Sequence, residues 1–289
     1  MRKIFKSKLI VLSMLVALIM CAFCPEQVEA KTKTYQEQNY WYGGSCSAVV
    51  SGDKVYYSIT ETGRIFCYNI KTKKTRTVIK SEGKGFSNLR KVGDYLYAVH
   101  DIYGGSDGND RYIVRVSLKN GKRSVLAKGS DYVISVKNKK IYYIKTKSND
   151  SYGTKYDTQL GTYSMTLTGK NKKRERSVVI KTSRDERSVI KTSNGSIFTK
   201  GKNVGSLYFP RSLWYKSPKG KTRVIYDMDK DKRVPSYSSF DYYTLQRGYI
   251  VYKRTIQETN GAFKGQLVLV KTNGKGARVI YSHDSVSGW

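Results

Sequence analysis

The 289-residue chain predicts an all-β fold, a β-propeller of four-stranded antiparallel blades and most simply five of them. Three observations carry this. A turn followed by an aliphatic–aromatic run recurs as GDKVYY, GDYLYA, KKIYYI, NGSIFT and RGYIVY, centred on Val55, Leu96, Ile141, Ile197 and Ile250. A basic turn leading into a short β-branched strand recurs as KTKKTRTVI, KNGKRSVL, TGKNKKRERSVVI, SPKGKTRVI and TNGKGARVI, marked by Val78, Val125, Val179, Val224 and Val279. The two signals alternate strictly, so the unit is one block of roughly 40 to 55 residues, the period of a propeller blade. A four-stranded sheet cannot bury both faces alone, whereas five stacked radially can.

In chain order, Arg2, Lys3, Lys6 and Lys8 precede an uncharged run from Leu9 to Phe23, and VEA at Val28–Ala30 supplies small residues for cleavage. Residues 1–30 are expected to be a secretory signal peptide, and residues 31–289 a single propeller domain, soluble and exported. A lipid anchor on Cys21 or Cys24 is disfavoured by Met20 and Phe23, which stand where small residues are needed. Unit one then reads as four strands: CSAVVSG, KVYYSIT, GRIFCYNI and TRTVIK. Tight hairpins are expected at Asn120-Gly121 and Asn273-Gly274, because a type I′ turn needs positive φ twice. Between units three and four, ERSVVIKTS is followed by ERSVIKTS. Either one copy closes unit three and the other opens unit four, or the pair forms an extra hairpin. A sixth blade would have to come from the termini, YWYGG with HDSVSGW.

The alternation of G-D-x-aliphatic-Y-Y with a GK-x-R-V-I/L turn-strand resembles secreted bacterial proteins whose domain of unknown function is likened to the propeller of low-density-lipoprotein-receptor-related proteins. The resemblance implies a bacterial, exported propeller and no particular reaction. The receptor signature Tyr-Trp-Thr-Asp is met only as Tyr56-Tyr57-Ser58-Ile59, so receptor function does not carry over.

The formal charge is +32, and removing four basic and two acidic leader residues leaves +30. Charge of this size attracts polyanions and anionic surfaces. In a meander blade the first-to-second and third-to-fourth turns share one rim. The third-to-fourth turns and outer strands carry Lys71, Lys73, Lys74 and Arg76; Lys119, Lys122 and Arg123; Lys170, Lys172, Lys173, Arg174 and Arg176; Lys216, Lys219, Lys221 and Arg223; and Lys271, Lys275 and Arg278. A ring of five cationic clusters is therefore expected, suited to an anionic cell-wall polymer or extracellular polysaccharide bound multivalently. Lysine on outer strands also blocks edge-to-edge association, which is compatible with such a role. The opposite rim is expected to hold long loops bearing Tyr103, Tyr152, Tyr156, Tyr208 and Phe263, a face for a glycan, a peptide or a protein partner.

Other chemistry has less support. Asp227, Asp229 and Asp231 alternate as at the start of a calcium loop, but Lys232 replaces the needed Gly and Ser238 the bidentate Glu, which favours a solvated inter-blade loop. His100 and His283 each precede Asp without a nucleophile motif, so no catalytic residue and no cofactor are assigned. A polysaccharide-active enzyme would have to draw on Asp101, Asp107, Asp110, Asp157 or Glu258. The patterning argues against nucleic acid. Cys46 and Cys67 could pair only if Cys46 lay in irregular backbone, since strands one and three of a sheet stand about 9 to 10 Å apart.

Overall fold

A computed structural model describes residues 33–36, 39–41, 46–59, 62–80, 85–105, 108–151, 154–181, 189–204, 207–234, 240 and 242–285. The leader lies outside these residues, and the fold below is that of the compact unit Thr34–Trp289. Two short strands, β1 (Lys33–Gln36) and β2 (Asn39–Trp41), precede the first sheet. Blade one is β3 (Cys46–Ser51), β4 (Lys54–Ile59), β5 (Arg64–Asn69) and β6 (Thr75–Ile79). Blade two is β7 (Phe86–Val92), β8 (Tyr95–Gly105), β9 (Gly108–Ser117) and β10 (Arg123–Lys128). Blade three is β11 (Ser130–Lys137), β12 (Lys140–Ser151), β13 (Thr154–Thr166) and β14 (Lys173–Arg174), followed by β15 (Val178–Lys181). Blade four is β16 (Ile190–Thr192), β17 (Gly195–Val204), β18 (Leu207–Lys216) and β19 (Thr222–Asp227). Blade five is β20 (Tyr242–Gln246), β21 (Tyr249–Gln257), β22 (Phe263–Lys271) and β23 (Arg278–Ser285).

Among the described residues the five blade sheets are antiparallel meanders, and blade five gains β2 beside β20 as a fifth strand. The fold is all-β and consistent with a propeller of about five blades. Successive first strands pack side by side, β16 with β20, β20 with β3, β3 with β7 and β7 with β11. A first strand has one ladder edge with no partner in its own blade, and buried backbone groups there must find partners elsewhere. Side chains of the neighbouring blade supply them. Ala48 N donates to Tyr242 Oη at 2.8 Å and Val50 N to Gln246 Oε1 at 2.8 Å, tying blade one to blade five. Leu89 N donates to Ser47 Oγ at 2.9 Å, and Ile134 N to Asn88 Oδ1 at 3.3 Å, continuing the series to blades two and three. Asn88 reaches across from a bulge in β7 with φ at +53°.

Apolar layers fill the space between blades. Tyr57, Val55 and Phe66 of blade one meet Val251, Leu267 and Ile280 of blade five. On its other face, Tyr56, Ile65 and Cys67 meet Phe86, Leu96 and Val114 of blade two. Tyr97, Val99 and Ile113 meet Ile141, Tyr143 and Met165 of blade three. The aromatic anchors are thus core residues whose successive members face opposite blades, as the period of a strand requires.

The second signal has a shared geometry. In blades one, two, four and five the outer strand carries a β-bulge at Val78, Leu126, Ile225 and Ile280, so that one residue of the apolar doublet points out and the next turns in. Val125, Val224 and Val279 are 54%, 39% and 43% exposed, whereas Leu126 and Ile280 are 7% exposed. Thr77 holds the outward place in blade one, so Val78 corresponds to Leu126, one residue off the marker read from the sequence.

Three expectations are corrected. Gly121 and Gly274 take positive φ but Asn120 and Asn273 do not, so neither pair forms the type I′ turn read from the sequence. Blade three writes Arg174-Glu175-Arg176 where the others write an apolar doublet, so its outer strand ends after β14. The chain then peels away as β15, which pairs with β1 and lays Val178 and Ile180 on Tyr142 and Ile144. Val179 therefore lies outside blade three, and the second copy of the duplicated segment opens blade four at Ile190. In blade four the turn closes at Thr192–Gly195, which places Ser196, rather than Ile197, where Val55, Leu96, Ile141 and Ile250 stand. A slip of one residue exchanges the two faces. Ile197 accordingly packs in the layer shared with blade five. Phe198 and Trp214 occupy the other face half-buried, with Lys200 Nζ 4.1 Å from the Trp214 ring centre.

Candidate functional site

The two classes of turn meet on one rim through the backbone. Ile70 N donates to Asp53 O at 2.8 Å, Leu118 N to Asp94 O at 2.9 Å and Thr272 N to Gly248 O at 2.9 Å, each joining the second turn of a blade to its first. The rim carries the cations read from the sequence. Lys73, Lys74, Arg76, Lys122, Lys172, Lys173, Arg174, Lys219, Lys221 and Lys275 are all exposed. Lys173 pairs with Glu175 at 3.3 Å, and the Glu175 carboxyl is held below its ordinary range chiefly by the Ser164 hydroxyl. Arg174 lies against Gly161. Three predicted cations are half-buried. Arg123 Nη1 lies 2.6 Å from His100 Nδ1, Arg278 Nη1 lies 3.4 Å from Tyr68 Oη in the next blade, and Arg223 sits on β19 opposite Tyr215.

The rim is not uniform. A cleft of about 810 Å³ opens where the turns of blades five, one and two converge, and Lys54, Arg76, Lys91, Lys119 and Arg247 line it. Asp53 and Asp94 are its carboxylates, and Asp53 is engaged by Lys71 at 2.7 Å. Arg76 and Lys119 were legible as turn cations. Lys54, Lys91 and Arg247 flank the first-to-second turns, which share the rim but carry no repeating basic motif to mark them in the sequence.

The opposite rim differs from expectation. In blades two, three and four the second and third strands extend as long hairpins, so most of the residues read as loops are ladder-paired. Asp107 and Tyr152 lie outside the described residues, as do the side chains of Tyr103, Asp110, Tyr156, Asp157 and Tyr208. Among the remaining acidic candidates, Glu258 accepts from Lys264 Nζ at 2.8 Å and Asp101 sits half-buried on β8 opposite Arg111. His100 stacks on Phe86 with ring centres 4.3 Å apart, and His283 lies over Gly265.

The three alternating aspartates turn to cations and backbone. Asp227 caps a single 3-10 turn, Met228–Lys230, accepting from Asp229 N. Asp229 accepts from Arg211 Nε at 2.8 Å. Asp231 receives both Arg233 Nε at 2.9 Å and Nη2 at 2.8 Å, with Arg254 Nη1 at 3.2 Å and Tyr226 Oη at 3.0 Å. These bonds, that from Arg233 first, hold the Asp231 carboxyl well below the usual carboxylate range. Burial pushes Tyr226 up to about 12. Among the described residues no cluster of His, Cys, Asp and Glu could hold a metal ion.

Cys46 and Cys67 are not joined. Both lie on regular strands, three residue pairs apart along the ladder and in the layers on opposite faces of blade one. Among the described residues no helix is long and apolar enough to cross a membrane.

No protein-family model matches the chain, and no curated protein matches it. Solved structures that it resembles include the tricorn protease, at 9% identity and a TM-score of 0.34, with 83% of this chain and 27% of that one covered. The nidogen/laminin complex gives 10% identity, a TM-score of 0.32 and coverage of 83% and 79%. TolB from Acinetobacter baumannii gives 16%, 0.31, and coverage of 84% and 54%. The alignment thus reaches less than two thirds of the tricorn and TolB chains. Likeness at these identities and scores carries no argument about activity, and none of these chains assigns this one a substrate.

Proposed function

We propose that this chain is an exported, non-catalytic, five-bladed binding propeller that associates with anionic polymers of the cell envelope or extracellular space through its basic turn rim. The opposite rim is left for a glycan, peptide or protein. The supporting observation is the convergence of turns from three blades on one cation-lined cleft, amid a rim whose third-to-fourth-turn lysines are exposed. Repeated weak contacts to a repeating polyanion gain by multivalency. They also weaken as the screening length falls from about 10 Å at 0.1 M salt to about 3 Å at 1 M. Passage of the mature chain over an immobilised anionic wall polymer in a salt series tests this. Retention at low salt with elution as salt rises is expected, and flow-through at low salt would refute it.

A further inference from the structure

We infer that the cleft where blades five, one and two converge is a discrete site for a short run of a linear phosphodiester polymer, contacting two or more successive phosphates. This rests on the polyanion reading above and narrows it to one place and one ligand chemistry. The floor of the cleft is built by two cross-strand rows on one face of blade one. Lys54 pairs with Asn69, and two residues along β4, Tyr56 pairs with Cys67, which pairs with Arg76. Cys67 stands opposite Arg76 on the ladder, and burial pushes its thiol up. The walls come from other blades: Lys91, Asp94 and Lys119 from blade two, and Arg247 from blade five. Lys91 Nζ is held across its own turn by Gly93 O at 2.8 Å.

Five cations face two carboxylates, and Lys71 already engages one of these from outside the lining. The surplus is positive and spread over three blades. Two guanidiniums on separate blades each offer a planar fork that suits an oxyanion with two free oxygens. The volume lies within the range of roughly 300 to 1,000 Å³ typical of ligand sites and holds several repeats of a slender chain. Among the described residues of the lining the one aromatic, Tyr56, is only 2% exposed and offers no ring for stacking. That separates the site from those of neutral glycans and of single-stranded nucleic acid, which lean on aromatic platforms. A polyuronate carries one charge per bulky ring and sets fewer charges within the cleft than a phosphodiester chain with a small repeat.

The test is calorimetric titration of the mature chain at low salt with a poly(glycerol phosphate) oligomer, an oligogalacturonate of equal charge and inorganic phosphate. The double variant Lys91→Gln/Arg247→Gln is compared with Lys219→Gln/Lys221→Gln on the turn of blade four. Loss of two charged contacts predicts about 10- to 100-fold weaker oligomer binding in the cleft variant, and less than about threefold in the other. Equal losses in both would remove the discrete site while leaving a diffuse polyanion rim standing. Oligogalacturonate or inorganic phosphate binding as tightly as the oligomer would remove the phosphodiester assignment. No binding of any polyanion by the parent chain would fail the broader proposal as well. Should the double variant melt early, Lys119→Gln, on an exposed turn, replaces it, and the loss of one charged contact predicts about 3- to 10-fold weaker oligomer binding.

Discussion

Removal of one hydroxyl tests whether the hub is held by side chains reaching between blades. Tyr242 is 1% exposed, and its hydroxyl both accepts from Ala48 N at 2.8 Å and donates to Ala48 O at 3.2 Å. In Tyr242→Phe the carbonyl keeps a donor, Gln246 Nε2 at 3.2 Å, but the amide of a fully buried alanine loses its acceptor. An unsatisfied buried donor costs about 1 to 3 kcal/mol. For a domain of this size each kcal/mol lowers the melting temperature by about 2 to 4 °C, so a drop of about 4 to 8 °C is expected from a mid-range loss. The assay is calorimetric melting of both chains, with Tyr249→Phe, a half-buried position, as the comparison. A shift below about 1 °C for Tyr242→Phe would show that the hydroxyl does not bridge the blades, and the account of how the first strands are satisfied would fall.

Gly195 has φ at +116°, and a methyl there would meet the Lys216 carbonyl and the Tyr215 ring, so Gly195→Ala should cost about 2 kcal/mol or more; Gly52→Ala, at φ +57° with open space around it, should cost about 1 kcal/mol, both read from denaturant melts. Because the Asp231 carboxyl is held below its unfolded value, its contribution is present above about pH 4 and fades as pH falls below that. The gap in melting temperature between the parent and Asp231→Asn should accordingly narrow from about pH 5 to about pH 2, and a constant gap would count against the ion-pair account. The proposed export predicts a mature form that begins at Lys31 by mass spectrometry and yields two titratable thiols on unfolding without reductant, from Cys46 and Cys67; one or none would contradict their separation on opposite faces of blade one.

The blade pattern was legible because strand periodicity and turn chemistry act locally. The runs around Val55, Leu96, Ile141 and Ile250 sit two residues past a tight turn, and that spacing is written in the sequence. The slip in blade four was not legible, since Asn194-Gly195 reads as the centre of a turn although Ser193 and Asn194 occupy it. The departure of β15 had a signal, the three charged residues 174–176 in place of an apolar doublet, but its pairing with β1 is a long-range choice that no local pattern encodes. The outer-strand bulges escaped for the same reason, as a bulge shows itself only in the register with its partner. For the site, the turn lysines were visible, whereas their gathering into one cleft depends on which blades are neighbours in space.

The pairing of β2 with β20 has a consequence for how the chain is made. Ala48 and Tyr242, which bond beside that pairing, are separated by 194 residues, and Asn39 lies opposite Thr244. A ribosome or export channel releases the early partner long before the late one. Until Tyr242–Gln246 emerges, β2 has no ladder to join, and the face of blade one that carries Tyr57 and Val55 lacks its cover from blade five. Docking of blade five against blade one is therefore the final act of synthesis, and a chain halted before its last fifty residues should be recognised by proteases as unfinished.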